Sequence, residues 1–419
     1  MRILYFAQWF DPEPMIKGAN FVRALIARGH EVEVVTGFPN YPTGKLYPGY
    51  RLSMHREDEI EGVKIHRVAL YPSHDRSSFK RILNYFSFAF SALVHGLFRA
   101  GKFDVLYVYP PIPAALAARL VGGIRRRPYV MDVQDLWPDS VVKSGMPGVT
   151  WMGRILGVMC RIAYRGATRI TAQSQGIAAR LVERGVPAEK IDVIFNWADE
   201  EAAVPLGNHD LAPYAFENRF NIVYGGNLGA MQGLDVLVRA AHLARARAPD
   251  LQLLLIGNGV ESGRLKALVD ELGATNVRIA PGVPRSHIGD IFAAADVLAL
   301  HLNPDPLFEI TIPQKTQFYL AMGKPVLIGM KGEAARFVTD AGAGIAVEPG
   351  NVEAIAEAMV EMARMPRVAL EDMGARGKAA YHRDFAFAAA IEATENALLR
   401  AIERRGRRGN GDRIAHGPL

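Results

Sequence analysis

The chain holds a single cysteine, Cys160, among 419 residues. No intramolecular disulfide can form, which excludes a disulfide-braced secreted scaffold and fits a reducing cytoplasm. Low-complexity blocks are missing, and half of the residues are hydrophobic, so the composition is that of a globular enzyme rather than a disordered linker. The opening MRILYFAQWF lacks a charged leader followed by a long apolar core, and it reads as a first strand rather than a signal peptide. Neither G-x-G-x-x-G nor G-x-x-x-x-G-K-[ST] occurs where a phosphate loop would need it, so the fingerprints of dinucleotide and P-loop sites are missing. Basic residues are not interleaved with aromatics and no nucleic-acid module is present, so nucleic acid is set aside as a partner.

What is present points to two domains. A chain of 419 residues exceeds what one hydrophobic core usually serves. The net charge of +6 suits an anionic partner, either a nucleotide or an acidic membrane surface. Short runs rich in Val, Ile and Leu alternate with helical periodicity. Strands are expected at Arg2–Ala7, Glu31–Thr36, Val63–Val68, Val105–Tyr109, Tyr129–Val133, Arg169–Ala172 and Asp192–Phe195, with helices between them. The pattern restarts at NRFNIVYGG. The expected fold is therefore α/β, with two doubly wound Rossmann-like domains facing each other across a cleft. Residues 1–200 form the first domain, rejoined by a C-terminal helix over 386–404. Residues 201–385 form the second, and 405–419 read as a basic flexible tail.

The stretch LFEITIPQKTQFYLAMGKPVLI, Leu307 to Ile328, carries the sharpest local signal. Pro313 suits the opening of a helix, and the amides of Gln314, Lys315 and Thr316 would then be unpaired and form an anion site. A lysine in a first helical turn opposes the helix dipole, which marks Lys315 as a functional candidate. Two glycine turns at strand ends aim at the same chemistry: Gly226–Asn227 with Gln232 in YGGNLGAMQGLD, and Gly257 and Gly259 in IGNG. Together they indicate a nucleoside diphosphate.

These residues, with GANFVRALIARGHEVEVVTG, ITAQSQGIAARLVERGVPAEKIDVIFNWAD and FAAADVLALHLN, resemble the GT-B retaining glycosyltransferases of family 4, the glycosyl transferases group 1. GFPNYPTGKLYPGY, DVQDLWPDS and FNWAD are closer to the bacterial branch that builds surface polysaccharides, the WbuB-like N-acetyl-fucosaminyl transferases. The resemblance implies transfer, with retention, of an N-acetylated deoxyhexose or hexosamine from a UDP-linked donor to an O-antigen or capsule acceptor carried on a polyprenyl lipid. It places Val283, Lys17 and Gly18 near the donor, Glu309 beside the donor sugar and Asp135 on the acceptor side. Departures stand out: a usual Arg and Lys read Asn227 and Gln232, a usual ribose-binding Glu reads Phe318, and a usual His reads Gln134. Lys315 then becomes the main positive charge at the diphosphate.

Glu57–Asp58–Glu59 reads as an exposed acidic loop, no metal-binding loop is recognised, and no metal or other cofactor is expected. The alternatives are a nucleotide-sugar epimerase of the same fold and a non-catalytic binding subunit. Phe79–Gly101 reads either as a buried helix or as an interfacial helix with basic flanks on the cytoplasmic face of an anionic membrane.

Overall fold

The computed structural model describes residues 1–73, 78–139 and 149–414. The chain divides into two compact units, Met1–Ile194 with Ala390–Leu419, and Phe195–Ala389.

The first unit is built on an eight-stranded sheet. Its strands are β1 (Arg2–Ala7), β2 (Glu31–Gly37), β3 (His55–Ile60), β4 (Val63–Val68), β5 (Val105–Val108), β6 (Tyr129–Val133), β7 (Arg169–Ala172) and β8 (Ile191–Val193). They lie in the order β3-β4-β2-β1-β5-β6-β7-β8, all parallel except the β3–β4 pair. Because β1 is flanked by β2 and β5, the switch point of the topology lies at its carboxyl end, where ligands of such sheets bind. The helices are α1 (Ala19–Ala27), α2 (Ser78–Phe98), α3 (Ile112–Ile124), α4 (Val149–Gly166) and α5 (Gln175–Glu183). Helix α5 starts where Ser174 Oγ accepts the Ile177 amide at 3.0 Å, an N-cap that satisfies an otherwise orphaned donor.

The acidic stretch is not a loop. Glu57, Asp58 and Glu59 lie in β3, antiparallel to β4, and Asp58 pairs with the fully buried Arg67 at 2.8 Å. Polar side chains on an edge strand hid it from a reading that looks for apolar runs.

The second unit has a six-stranded parallel sheet in the order β11-β10-β9-β12-β13-β14. These are β9 (Phe220–Gly225), β10 (Leu251–Ile256), β11 (Val277–Ala280), β12 (Val297–His301), β13 (Val326–Gly329) and β14 (Gly344–Val347). Alternate residues feed two cores. Ile222, Leu253, Leu255 and Ala299 pack on one face, while Val223, Leu254, Leu298 and Leu300 pack on the other. Both faces are thus covered, by helices α6 (Leu234–Ala244), α7 (Ser262–Leu272), α8 (Ile288–Ala294), α9 (Pro306–Glu309), α10 (Gln314–Ala321), α11 (Glu333–Asp340), α12 (Val352–Arg364) and α13 (Arg367–Asp384). The last helix, α14 (Phe387–Ile414), returns the chain to the first unit. It continues ten residues past the expected start of the tail, so residues 405–414 are helical rather than irregular.

Candidate active site

In the second unit the switch point lies between β9 and β12, and the candidate residues gather at the strand ends beside it. The Gly226 amide donates to the Ile256 carbonyl (2.8 Å), the Leu228 amide to Asn258 (2.9 Å) and the Gly257 amide to Ala280 (3.1 Å). The loops after β9 and β10 are therefore tied to each other and to the end of β11 through backbone. Gly257 has to be glycine, because its φ is +158° and a Cβ there would run into the Gly226 carbonyl. Gly259 packs equally tightly on the backbone of Leu228. Val283 follows β11 and is partly buried against the core.

Lys315 lies in the first turn of α10, and its Nζ donates to Tyr224 Oη at 2.7 Å. The Tyr224 hydroxyl donates onward to the Asn227 carbonyl at 2.7 Å. A Cβ on Gly226 would stand 2.5 Å from Lys315 Cε and 2.8 Å from Nζ, so the glycine makes room for the ammonium. Lys315 is half-buried, yet protein closely surrounds it and it has no ion pair among the described residues. Burial lowers its pKa to about 8. A cation desolvated without a carboxylate is a site prepared for an anion.

The helix start differs in detail from the expectation. Pro313 is the cap residue, and its carbonyl accepts the Thr316 amide at 2.8 Å. Thr316 is completely buried, so neither its amide nor its side chain is presented to a ligand. Among the described residues, the amides of Gln314 and Lys315 have no backbone acceptor. Gln232 is likewise committed: its Oε1 accepts the Gly229 amide at 3.1 Å and shapes the turn, whereas Asn227 is exposed.

Glu309 ends α9 with an exposed side chain, beside a small pocket lined by Asn303, Asp305, Phe308, Met330 and Lys331. Its backbone is pressed against Gly332, whose φ of +86° and lack of Cβ permit the contact. At the expected ribose position, Phe318 packs edge-on against Phe292, with centroids 5.8 Å apart.

Three supporting residues escaped the sequence reading. Tyr224 looked like an ordinary strand residue. His301, at the end of β12, is 1% exposed; its Nδ1 donates to the Gln232 carbonyl (2.8 Å) and its Nε2 accepts the Gly350 amide (3.1 Å). That pairing fixes the neutral tautomer, and burial lowers its pKa. Asn303 Nδ2 donates to the Ala230 carbonyl at 2.9 Å. All three read as core or loop residues until the strand order brings them to one loop.

In the first unit, two expectations are corrected. Lys17 is 1% exposed, ion-paired with the equally buried Asp132 and donating to Tyr107 Oη at 2.9 Å. Its ammonium is already neutralised and cannot serve as a free phosphate ligand. Gly18 precedes α1, but Asp11 Oδ2 accepts the Ala19 amide at 2.7 Å and fills the space a Cβ would take. The protein's own carboxylate occupies that helix start. Asp135 is exposed, its carboxylate makes no hydrogen bond among the described residues, and surrounding protein raises its pKa. Nearby, half-buried aromatics form a chain: Trp9 to Tyr41 (5.4 Å between centroids), Trp9 to Tyr85 (6.0 Å) and Tyr85 to Trp137 (5.7 Å). The rings meet tilted or edge-on, at 48°, 82° and 62°, and a half-buried aromatic cluster of this kind suits contact with the apolar face of a sugar.

Residues 19–197 match the model of the glycosyl transferase 4-like domain, and residues 219–365 match that of the glycosyl transferases group 1. The colanic acid biosynthesis glycosyl transferase WcaI of Escherichia coli K12 is 25% identical over 383 residues, which is 88% of this chain and 93% of that protein. The glycosyltransferase WbjE of Pseudomonas aeruginosa is 24% identical over 244 residues, 57% of this chain and 60% of its own length. The crystal structure of Anabaena HepE in complex with UDP and glucose superposes with a TM-score of 0.67, covering 95% of this chain and 99% of that one at 17% identity.

Proposed function

The chain belongs to the group 1 glycosyltransferases and has the GT-B fold, and from that footing we propose that it transfers a sugar with retention from a UDP-linked donor to a lipid-carried surface-polysaccharide acceptor. The donor sugar in this reading is an N-acetylated deoxyhexose or hexosamine. The observation that carries the reading is Lys315, desolvated at the glycine loop against Tyr224 and without an ion-pair partner among the described residues, which suits a counter-charge for a departing diphosphate. The name of WcaI favours a surface polysaccharide, and the HepE complex favours UDP.

In this scheme the donor diphosphate lies against Gly226 and the amides of Gln314 and Lys315. As the bond from the anomeric carbon to phosphate oxygen stretches, negative charge grows on that oxygen. The Lys315 ammonium stabilises it without reorganising. The acceptor hydroxyl attacks from the same face, and the leaving phosphate oxygen takes its proton, so no protein base is required. Glu309 holds donor hydroxyls, and Asp135 orients the acceptor on the aromatic row. No metal is needed to neutralise the leaving group. A nucleotide-sugar panel with both UDP and GDP donors, read by thermal shift, should single out UDP sugars. Product NMR should then show the donor's anomeric configuration conserved, with turnover unaffected by EDTA. An inverted product defeats the stereochemical part, and activity lost to EDTA and restored by Mg²⁺ or Mn²⁺ defeats the metal-free part.

Helix α2 supports the lipid-linked acceptor. Asn84, Phe88, Ala92 and His95 are buried, while Phe79, Leu83, Phe86, Phe90, Val94 and Phe98 run along the opposite face. Phe79, Phe90 and Phe98 are 74%, 67% and 80% exposed. The helix is thus half in the core and half out, rather than buried. Beside it, α3 exposes Leu120 and Ile124, and α4, which packs against α3, exposes Ile155, Val158 and Ile162 among Arg154, Arg161 and Arg165. No helix among the described residues is long and apolar enough to cross a membrane. An apolar stripe flanked by arginines suits the interface of an anionic bilayer. Phe79→Ser/Phe90→Ser/Phe98→Ser should abolish co-sedimentation with anionic liposomes. Lys80→Glu/Arg81→Glu should weaken it by about 1 kcal/mol or more per charge. Equal binding by all three proteins rejects the membrane face.

A further inference from the structure

Three histidines far apart in sequence converge in the first unit. His55 opens β3, His66 lies in β4 and His95 in α2. His66 pairs with Glu57 across the hairpin, so His55, two residues before Glu57, shares its face. One ring nitrogen from each histidine lies within 4.8 Å of the others, and His55 Nε2 is 3.2 Å from His66 Nδ1. From β2, the Glu33 carboxylate stands behind them. Its Oε1 is 3.0 Å from His95 Nε2 and 3.8 Å from His66 Nε2, and its Oε2 accepts the Gly101 amide at 3.1 Å.

We propose that His55, His66 and His95 form a structural site for a borderline divalent transition metal, zinc being the one expected, which pins the β3–β4 hairpin to α2. Three imidazoles are a donor set for zinc, copper or nickel and not for magnesium or calcium. The Glu33 contact identifies the outer partner. With His95 Nε2–H donating to Glu33, Nδ1 is left as a bare lone pair, buried and without a hydrogen-bond partner among the described residues, in a side chain only 2% exposed. A carboxylate fixing the tautomer of a ligating imidazole is a recurrent feature of zinc sites. Glu57, 4.0 Å from His66 Nδ1 and exposed, is within reach as a fourth ligand. Arg99 Nη1 lies 3.4 Å from His55 Nδ1, but that side chain is exposed and free to swing into solvent. The rings are stacked rather than splayed, with His55 and His66 centroids 5.4 Å apart, so loading requires them to rotate about the hairpin face. None of these residues belongs to the donor site or to the aromatic row, so the inference stands apart from the proposed transfer.

The test uses the EDTA-stripped full chain titrated with zinc chloride by calorimetry, with magnesium chloride as control. Expected results are one zinc per chain, no magnesium binding, a zinc-dependent rise in Tm, and visible ligand-field bands with cobalt(II). His66→Ala should weaken zinc at least tenfold, and Glu33→Gln by about 10–100-fold. His55→Gln, a milder change that keeps the test decisive should either of those variants fold poorly, should lose both the Tm response and the cobalt bands. Unsaturable zinc binding, or an affinity and Tm response in His55→Gln equal to those of the parent protein, overturns the site.

Discussion

Lys315→Ala lowers turnover by more than about a hundredfold while the fold persists. Removing one preorganised charge donor at a developing anion costs on the order of 3 kcal/mol in the barrier. The same side chain contributes little to folding. Its folded pKa, about 8, is below the ordinary lysine value, so the unfolded chain binds more protons between about pH 8 and 10.5, and stability rises with pH across that window. Below it, the buried ammonium is a burden that only a bound anion relieves. Lys315→Met should therefore leave the ligand-free Tm undiminished. Donor affinity of the parent protein should fall as pH rises through about 8, while Lys315→Arg, which stays charged, shows no such fall. Calorimetric titration with UDP from pH 6.5 to 9.5 reads this directly. A flat profile in the parent protein, or near-normal turnover in Lys315→Ala, removes Lys315 from the chemistry.

The parallel strands and the lysine at a helix start were legible because each rests on local pattern. A buried parallel strand is a run of apolar residues wherever it lies, and HREDEI of β3 is not one, so the hairpin edge and its histidines went unseen. Lys17 and Lys315 show the limit of the same logic. Both are lysines near a strand end and a helix start, and only tertiary neighbours separate them. Asp132, 115 residues from Lys17, neutralises one, and among the described residues no carboxylate pairs with the other. Likewise Gly18 and Gly226 are glycines of the same local type, but Asp11 fills the space at the first and the Lys315 ammonium fills it at the second.

Asp132→Ala should destabilise the first unit by about 3–5 kcal/mol, because it leaves the Lys17 ammonium buried and unpaired. Asp132 also accepts from Thr171 Oγ1 (3.0 Å), Tyr107 Oη (3.1 Å) and Gln134 Nε2 (3.1 Å), so its loss orphans a whole cluster of donors. A unit of this size loses roughly 10 °C in Tm for such a change. Lys17→Met/Asp132→Asn removes both charges and keeps an acceptor for Thr171 and Gln134, so it should recover most of the loss in urea unfolding. Equal destabilisation by the single and double variants denies the pair its role. The network also reaches the acceptor side. Gln134 is tethered to Asp132 by its amide and accepts Gln173 Nε2 at its carbonyl, and Asp135 is the next residue. In the double variant the tether persists and acceptor KM should stay near the parent value. Asp132→Ala, assayed well below its Tm, should raise acceptor KM with little change in UDP affinity, because the loop it frees carries Asp135 and Trp137 while Lys315 and its glycine loop lie in the other unit.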